Sequence, residues 1–151
     1  DMALFKFTKA MIEGRPIDVY NHGRMVRDFT YVDDIVTGVV GAVDRTPEPD
    51  PTYDAAHPDP ARSHAPYRIF NIGNSQPVPL MDFIEAIEAA LAVTATKNFL
   101  PLQDGDVTST HADVSALTAW TGTAPSMSVR DGVRKFVEWY RGYYDGRTGR
   151  P

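Results

Sequence analysis

The residues best placed to do chemistry fall in two short clusters. Arg27-Asp28 lies in a stretch that reads as extended and is followed by Asp33-Asp34, while Gln103-Asp104-Gly105-Asp106 occupies a turn further along. Along an extended strand, alternate side chains point to opposite faces, so Arg27 and Phe29 share one face and Asp28 and Thr30 the other. A guanidinium on a strand beside the Asn21-His22-Gly23 turn can clamp a phosphate through two parallel N–H donors. The same pattern also describes a surface arginine paired with a carboxylate. In the second cluster, Gly105 lets the backbone come close to a ligand, and Asp106 could accept hydrogen bonds from a ribose diol. An ordinary acidic turn would have the same composition.

Other chemistries find less support. Asp33 and Asp34 are adjacent at a helix start, where capping and the helix dipole use them better than acid–base work does. His22, His57, His64 and His111 form no pair at metal-ligand spacing and there is no cysteine, so no metal site is expected. The absence of cysteine also fits a cytoplasmic protein. No G-x-S-x-G elbow is present for a serine nucleophile. Trp120, Trp139, Tyr140, Tyr143 and Tyr144 read as core or interface rather than a base-stacking platform. A net charge of -5 argues against a nucleic-acid partner, which needs clustered Lys and Arg. A small phosphorylated ligand needs only one or two cations and remains open.

The elements that must hold these clusters are readable from hydrophobic period. Residues 2–13 predict a helix, with Leu4, Phe7 and Met11 on one face and Gly14 as its stop. Ile17 to Tyr20 predicts a short strand, and Met25 to Val32 another extended stretch. Asp33 would cap a helix over 34–44, with Val36, Val39 or Val40, and Val43 on one face. Residues 46–66 hold six of the twelve prolines and no period, which predicts a mobile surface insertion. Tyr67 to Ile72 predicts a strand covered on both faces. Leu80, Phe83, Ile84, Ile87 and Leu91 mark a helix over 80–91. Phe99 to Leu102 predicts a short strand. Asp113 would cap a short helix ending near Gly122. Ser128 and Asp131 form a capping box for a last helix carrying Val129, Val133, Phe136, Val137, Tyr140 and Tyr144. The tail 145–151 is expected to fray. Strands alternating with helices give a small mixed α/β class. The chain has no glycine-rich dinucleotide fingerprint, because Gly73-Asn74-Ser75 lacks the G-x-G-x-x-G spacing.

The block Met25-Val26-Arg27-Asp28-Phe29-Thr30-Tyr31-Val32-Asp33-Asp34 resembles the R-D-F-x-[YH]-V-x-D signature of extended short-chain dehydrogenase/reductases acting on nucleotide sugars. Further blocks follow in that family's order: Gly14 to Tyr20, then Tyr67-Arg68-Ile69-Phe70-Asn71-Ile72-Gly73-Asn74, then Gln103-Asp104-Gly105-Asp106-Val107 with Ala112-Asp113. The opening Asp1 to Phe5 and the insertion from His57 to Arg68 look like UDP-glucuronate 4-epimerases. The resemblance covers about residues 1–144. It implies the C-terminal substrate-binding subdomain of an extended Rossmann-type enzyme, without its NAD-binding core.

The resemblance also implies roles. Arg27 would bind the diphosphate of a UDP-sugar (UDP-glucuronate or UDP-galacturonate), and Asp106 the ribose. Asp18, Val19 and Tyr20 would cradle the uracil, mainly through backbone groups. Asn71 would lie near the phosphates. Ala3 and Leu4 would bring helix N-terminal amides toward a phosphate. Gln103 stands where many UDP-galactose 4-epimerases carry Arg, and a neutral amide clamps a phosphate less well. The family's glycine-rich NAD loop and Tyr-x-x-x-Lys pair are not in this chain, so the chain alone is expected to be inactive and to bind no NAD. The parent is expected to be a cytoplasmic homodimer, and the isolated segment to self-associate through unpaired edges. A nucleotide-sugar decarboxylase or dehydratase, or a stand-alone binding or interaction module, fits the same blocks.

Overall fold

In the computed structural model, which describes residues 2–148, the chain forms five α-helices and four short strands. They run α1 (Ala3–Ile12), β1 (Ile17–Val19), a 3-10 turn (Tyr20–Gly23), β2 (Val26–Arg27), α2 (Val32–Val43), β3 (Val78–Pro79), α3 (Leu80–Leu91), β4 (Lys97–Phe99), α4 (Ser115–Thr121) and α5 (Val129–Thr148). The chain divides into two compact units. Among the described residues, the first comprises 2–29, 76–110 and 127–148, and the second 30–75 and 111–126.

The first unit builds a core from three helices and two small sheets. The stripe expected on α3 is the one that is buried: Phe83, Ile84, Ile87 and Leu91 are 4% exposed or less. They pack with Met11, Ile17, Val19, Met25, Val133 and Val137. Each such side chain, taken from water, contributes about 1.5–3 kcal/mol before the cost of ordering the chain. Strand β1 pairs in parallel with β4, with Asp18 opposite Asn98. Strand β2 pairs antiparallel with β3, with Arg27 opposite Val78. Helix α3 ends at Ala92 in the left-handed conformation, and the chain is tied back at once. The Glu88 carboxylate accepts from Ala95 N–H at 2.8 Å and from Lys97 Nζ at 2.5 Å. These bonds set where β4 starts, two residues ahead of the position expected from Phe99 to Leu102.

The N-terminus of α5 is closed as its sequence predicts. Ser128 Oγ accepts the Asp131 N–H at 3.1 Å, and the Asp131 carboxylate returns to the hydroxyl at 2.6 Å. The helix continues to Thr148, so residues 145–148 of the polar tail are helical rather than frayed. Asp1 and residues 149–151 lie outside the described residues.

The second unit holds α2 and α4 and, among the described residues, no strand. Helix α2 begins at Val32 with Tyr31 at its cap position, so Asp33 sits in the first turn and is not the cap. The two helices meet through small residues. A Cβ on Gly38 would stand 3.2 Å from Leu117 Cδ2, and one on Gly41 would stand 2.9 Å from Thr121 Cγ2. The valine face of α2 is open, with Val36, Val39, Val40 and Val43 all exposed.

Residues 67–72 are not a strand either; Arg68 makes only an isolated bridge to Arg62. A strand needs a neighbour along its length to take its N–H and C=O groups, and here the Ile69 N–H donates to Ala61 C=O at 3.0 Å beside that single bridge. The insertion 46–66 contains neither helix nor strand, but it folds around the buried Asp50. Its Oδ1 accepts from the Thr52 N–H at 2.9 Å and the Thr52 hydroxyl at 2.7 Å, and its Oδ2 from Arg62 Nη1 at 3.2 Å. Arg68 Nη2 stands 3.9 Å from the same oxygen. The Thr52 hydroxyl and amide, with the two guanidinium charges, outweigh burial and hold the Asp50 carboxyl below its ordinary range.

Candidate functional site

Residues 79 apart in sequence meet around β2. Val26 N–H donates to Thr108 C=O at 2.9 Å, and Thr110 N–H donates to Val26 C=O at 3.2 Å, so the segment after β4 is stitched alongside β2. The Asp28 N–H adds a bond to Thr110 Oγ1 at 3.1 Å. Just upstream, Asp106 N–H closes a turn on Gln103 C=O at 3.2 Å, with Gly105 at φ 80°. That is the conformation a type II turn requires at its third residue, and glycine adopts it without strain. The turn delivers Asp106 to Arg27.

Arg27 Nη2 donates to Asp106 Oδ1 at 3.0 Å and to Val107 C=O at 2.6 Å, while Nη1 donates to Val26 C=O at 3.0 Å. The Arg27 side chain is 22% exposed and that of Asp106 36%. The pair is therefore half-buried and reachable from solvent. A guanidinium has five N–H donors, and three are used here. On the carboxylate, Oδ2 has no hydrogen-bond donor among the described residues. The arrangement can present a cation and an acceptor, side by side, to one ligand. Arg27 is thus paired with a carboxylate and keeps donors to spare.

Of the other expected site residues, Asp18 and Tyr20 line an open groove of about 460 Å³ between α1 and β1, together with Lys6, Lys9 and Arg15. Asp18 Oδ1 accepts from Asn98 Nδ2 at 2.9 Å. Val19 is fully buried and its carbonyl accepts the Leu100 N–H at 3.0 Å, so its side chain belongs to the core. Gln103 is exposed at the start of the Asp106 turn. Ala3 and Leu4 open α1 behind Met2, which provides no side-chain cap. Asn71 belongs to the second unit, where its amide lies 3.5 Å from Asp113 C=O, at the edge of a hydrogen bond.

Two contributors escaped the sequence reading. The Val107 carbonyl is a backbone group with no residue-type signal. The basic side of the groove did have one, because Lys6 and Lys9 at i, i+3 share a helix face.

The Gly73-Asn74-Ser75 segment does not form a dinucleotide cradle. Gly73-Asn74-Ser75 ends no strand, Ser75 is itself left-handed at φ 53°, and the next helix begins only at Leu80. A pyrophosphate cradle needs a strand, a glycine turn and a helix N-terminus in immediate succession. Among the described residues, no group of three or more His, Cys, Asp or Glu could hold a metal ion, and no helix is long and apolar enough to cross a membrane.

Comparison with known proteins gives these features a context. Residues 1–73 match the NAD dependent epimerase/dehydratase family. The chain is 52% identical to Protein CapI of Staphylococcus aureus over 95% of its own length and 43% of that protein's. It is 49% identical to the probable UDP-glucuronate 4-epimerase of Rhizobium meliloti (strain 1021), covering 93% of this chain and 41% of that one. The crystal structure of UDP-glucuronic acid 4-epimerase from Bacillus cereus in complex with UDP-glucuronic acid and NAD superposes with a TM-score of 0.77 at 28% identity, covering 95% of this chain and 41% of that one. The chain thus spans less than half the length of the relatives it matches. The small mixed α/β fold with few strands is the one expected from the sequence, and over nearly its whole length the chain is similar to part of UDP-glucuronate 4-epimerases.

Proposed function

We propose that the chain is the UDP-binding portion of an NAD-dependent 4-epimerase of the UDP-glucuronate type, and that it is inactive by itself. The observation that carries this reading is the half-buried Arg27–Asp106 pair, 3.0 Å apart, in a chain with relatives named for that reaction. Arg27 holds the diphosphate and Asp106 the ribose. Tyr20, with Asp18, meets the uracil along the edge of β1. The first amides of α1, at Ala3 and Leu4, face a phosphate, and Gln103 contributes a weaker polar contact. NAD and the proton-transferring residues belong to the part of the parent outside this chain. Firm binding of the nucleotide with looser binding of the sugar suits a reaction in which the sugar must present both faces. The parent works in the cytoplasm as a homodimer.

The test compares two preparations. The full-length protein with NAD is expected to interconvert UDP-glucuronate and UDP-galacturonate, and the 151-residue chain with NAD is expected to do neither. Release of carbon dioxide by the full-length protein would move the assignment to a decarboxylase. Turnover by the short chain would remove the claim that it is inactive.

A further inference from the structure

We propose that Asp106 is a positioning residue for Arg27, and not only a ligand group in its own right. The proposal rests on the reading that this pair binds UDP. One carboxylate then does two things at once: Oδ1 orients the guanidinium, and Oδ2 remains for a hydroxyl of the ligand.

The geometry supports the division. Arg27 Nη2 is held from two sides, by Asp106 Oδ1 at 3.0 Å and by the Val107 carbonyl at 2.6 Å. Nη1 is held by the Val26 carbonyl at 3.0 Å. Three anchors on a planar fork fix its plane, and the two donors left over, Nε–H and one Nη1 hydrogen, point where the anchors leave room. An arginine without such anchors must be ordered by its ligand, and that ordering weakens binding. Asp106 is itself rigid, because its N–H closes the turn on Gln103 C=O at 3.2 Å around Gly105. The chain carries Gln103 where a second cation could stand, so the orientation of Arg27 bears more of the phosphate recognition. A ligand with both a diphosphate and a vicinal diol uses the pair without breaking it. Two independent contacts would instead contribute separately.

The experiment is a double-mutant cycle on the full-length protein, with UDP affinity read by calorimetry and folding checked by a melting curve. Arg27→Ala is expected to weaken UDP by roughly 10- to 100-fold, the scale of a charge-assisted hydrogen bond. In an Asp106→Ala background, the same Arg27→Ala change is expected to cost only about 2- to 3-fold, since the guanidinium there is no longer oriented. In an Asp106→Asn background it is expected to cost nearly its full amount, because the amide oxygen still accepts from Nη2. Asp106 lies in an exposed turn, and Asp106→Ser replaces the alanine variant if that one fails to fold. Equal costs of Arg27→Ala in all backgrounds would overturn the positioning role while leaving the UDP reading standing. So would a tighter UDP complex in Asp106→Ala, which would make Asp106 a competitor for the cation. No loss in Arg27→Ala alone would overturn both.

Discussion

Helices α3 and α2 are both twelve residues long and both carry an apolar stripe, yet they end in opposite situations. On α3, Ile84 and Ile87 are fully buried among residues of α1, β1 and α5. On α2, Val36 and Val40 are 53% and 52% exposed, and the packed face is the glycine side at Gly38 and Gly41. The pattern in the sequence says that a face is to be covered; it does not say by which chain segment. Where the covering residues lie within the 151, the stripe is buried. On α2 the described residues leave the valines open.

The largest expected effect separates these two helices directly. Ile87→Ala removes a fully buried side chain and is expected to destabilise the first unit by about 2–5 kcal/mol. Val40→Ala on the open face is expected to stay within about 0.5 kcal/mol in this chain. Denaturant melts of both variants check this, and a comparable loss for Val40 would mean that α2 is covered after all.

Next comes the Arg27–Asp106 pair, which lies in the first unit. Arg27→Ala in the full-length protein is expected to cost about 1.5–3 kcal/mol of UDP binding with little change in the melt. An unchanged calorimetric affinity would return Arg27 to a surface ion pair.

The open valines sharpen the comparison in another way. The isolated chain is expected to self-associate, and Val36→Lys with Val40→Lys to weaken that association several-fold by burying charge in any such contact. Sedimentation velocity reads both, and a clean monomer at high concentration for the unsubstituted chain would count decisively against it.

The smallest effect concerns acid. Burial alone would raise the Glu88 carboxyl, but the hydrogen bonds from Lys97 and Ala95 and the lysine charge outweigh it and hold the group below its ordinary value. A carboxyl lowered in the folded state contributes stability above its unfolded value, roughly 4.3, and loses it as pH falls through the folded one. Glu88→Gln is therefore expected to flatten the acid limb of stability against pH and to leave the shape near neutrality unchanged. An acid limb as steep as the wild type's would assign it to other carboxylates.

Much of this was legible in the sequence where the signal is local. The period at 80–91 gave α3 to the residue, and Ser128 with Asp131 announced the start of α5. Positions that depend on a distant partner were less so. The expected strand at 67–72 needs a neighbouring strand and finds none among the described residues. Strand β4 is placed by Glu88, whose role no periodicity encodes. Arg27 and Asp106 were each visible as candidates, but their pairing depends on a turn set by Gly105 and on the bonds that run from Thr108 and Thr110 to Val26. Val19 was expected to offer backbone groups to a ligand, and its carbonyl turns out to be engaged by the Leu100 N–H.

The cluster around Asp50 bears on how the protein can change length. Thr52 at one end of the insertion, and Arg62 with Arg68 at the other, converge on a single carboxylate. The segment between them is thereby closed at its base, and the exposed stretch around 54–58 is a bight rather than a span. Lengthening a closed bight raises its entropic cost only logarithmically, by about 0.6 kcal/mol for each doubling. A reporter peptide or an epitope could be spliced in at that point with its ends held by Asp50, and the helices on either side would not register the added residues.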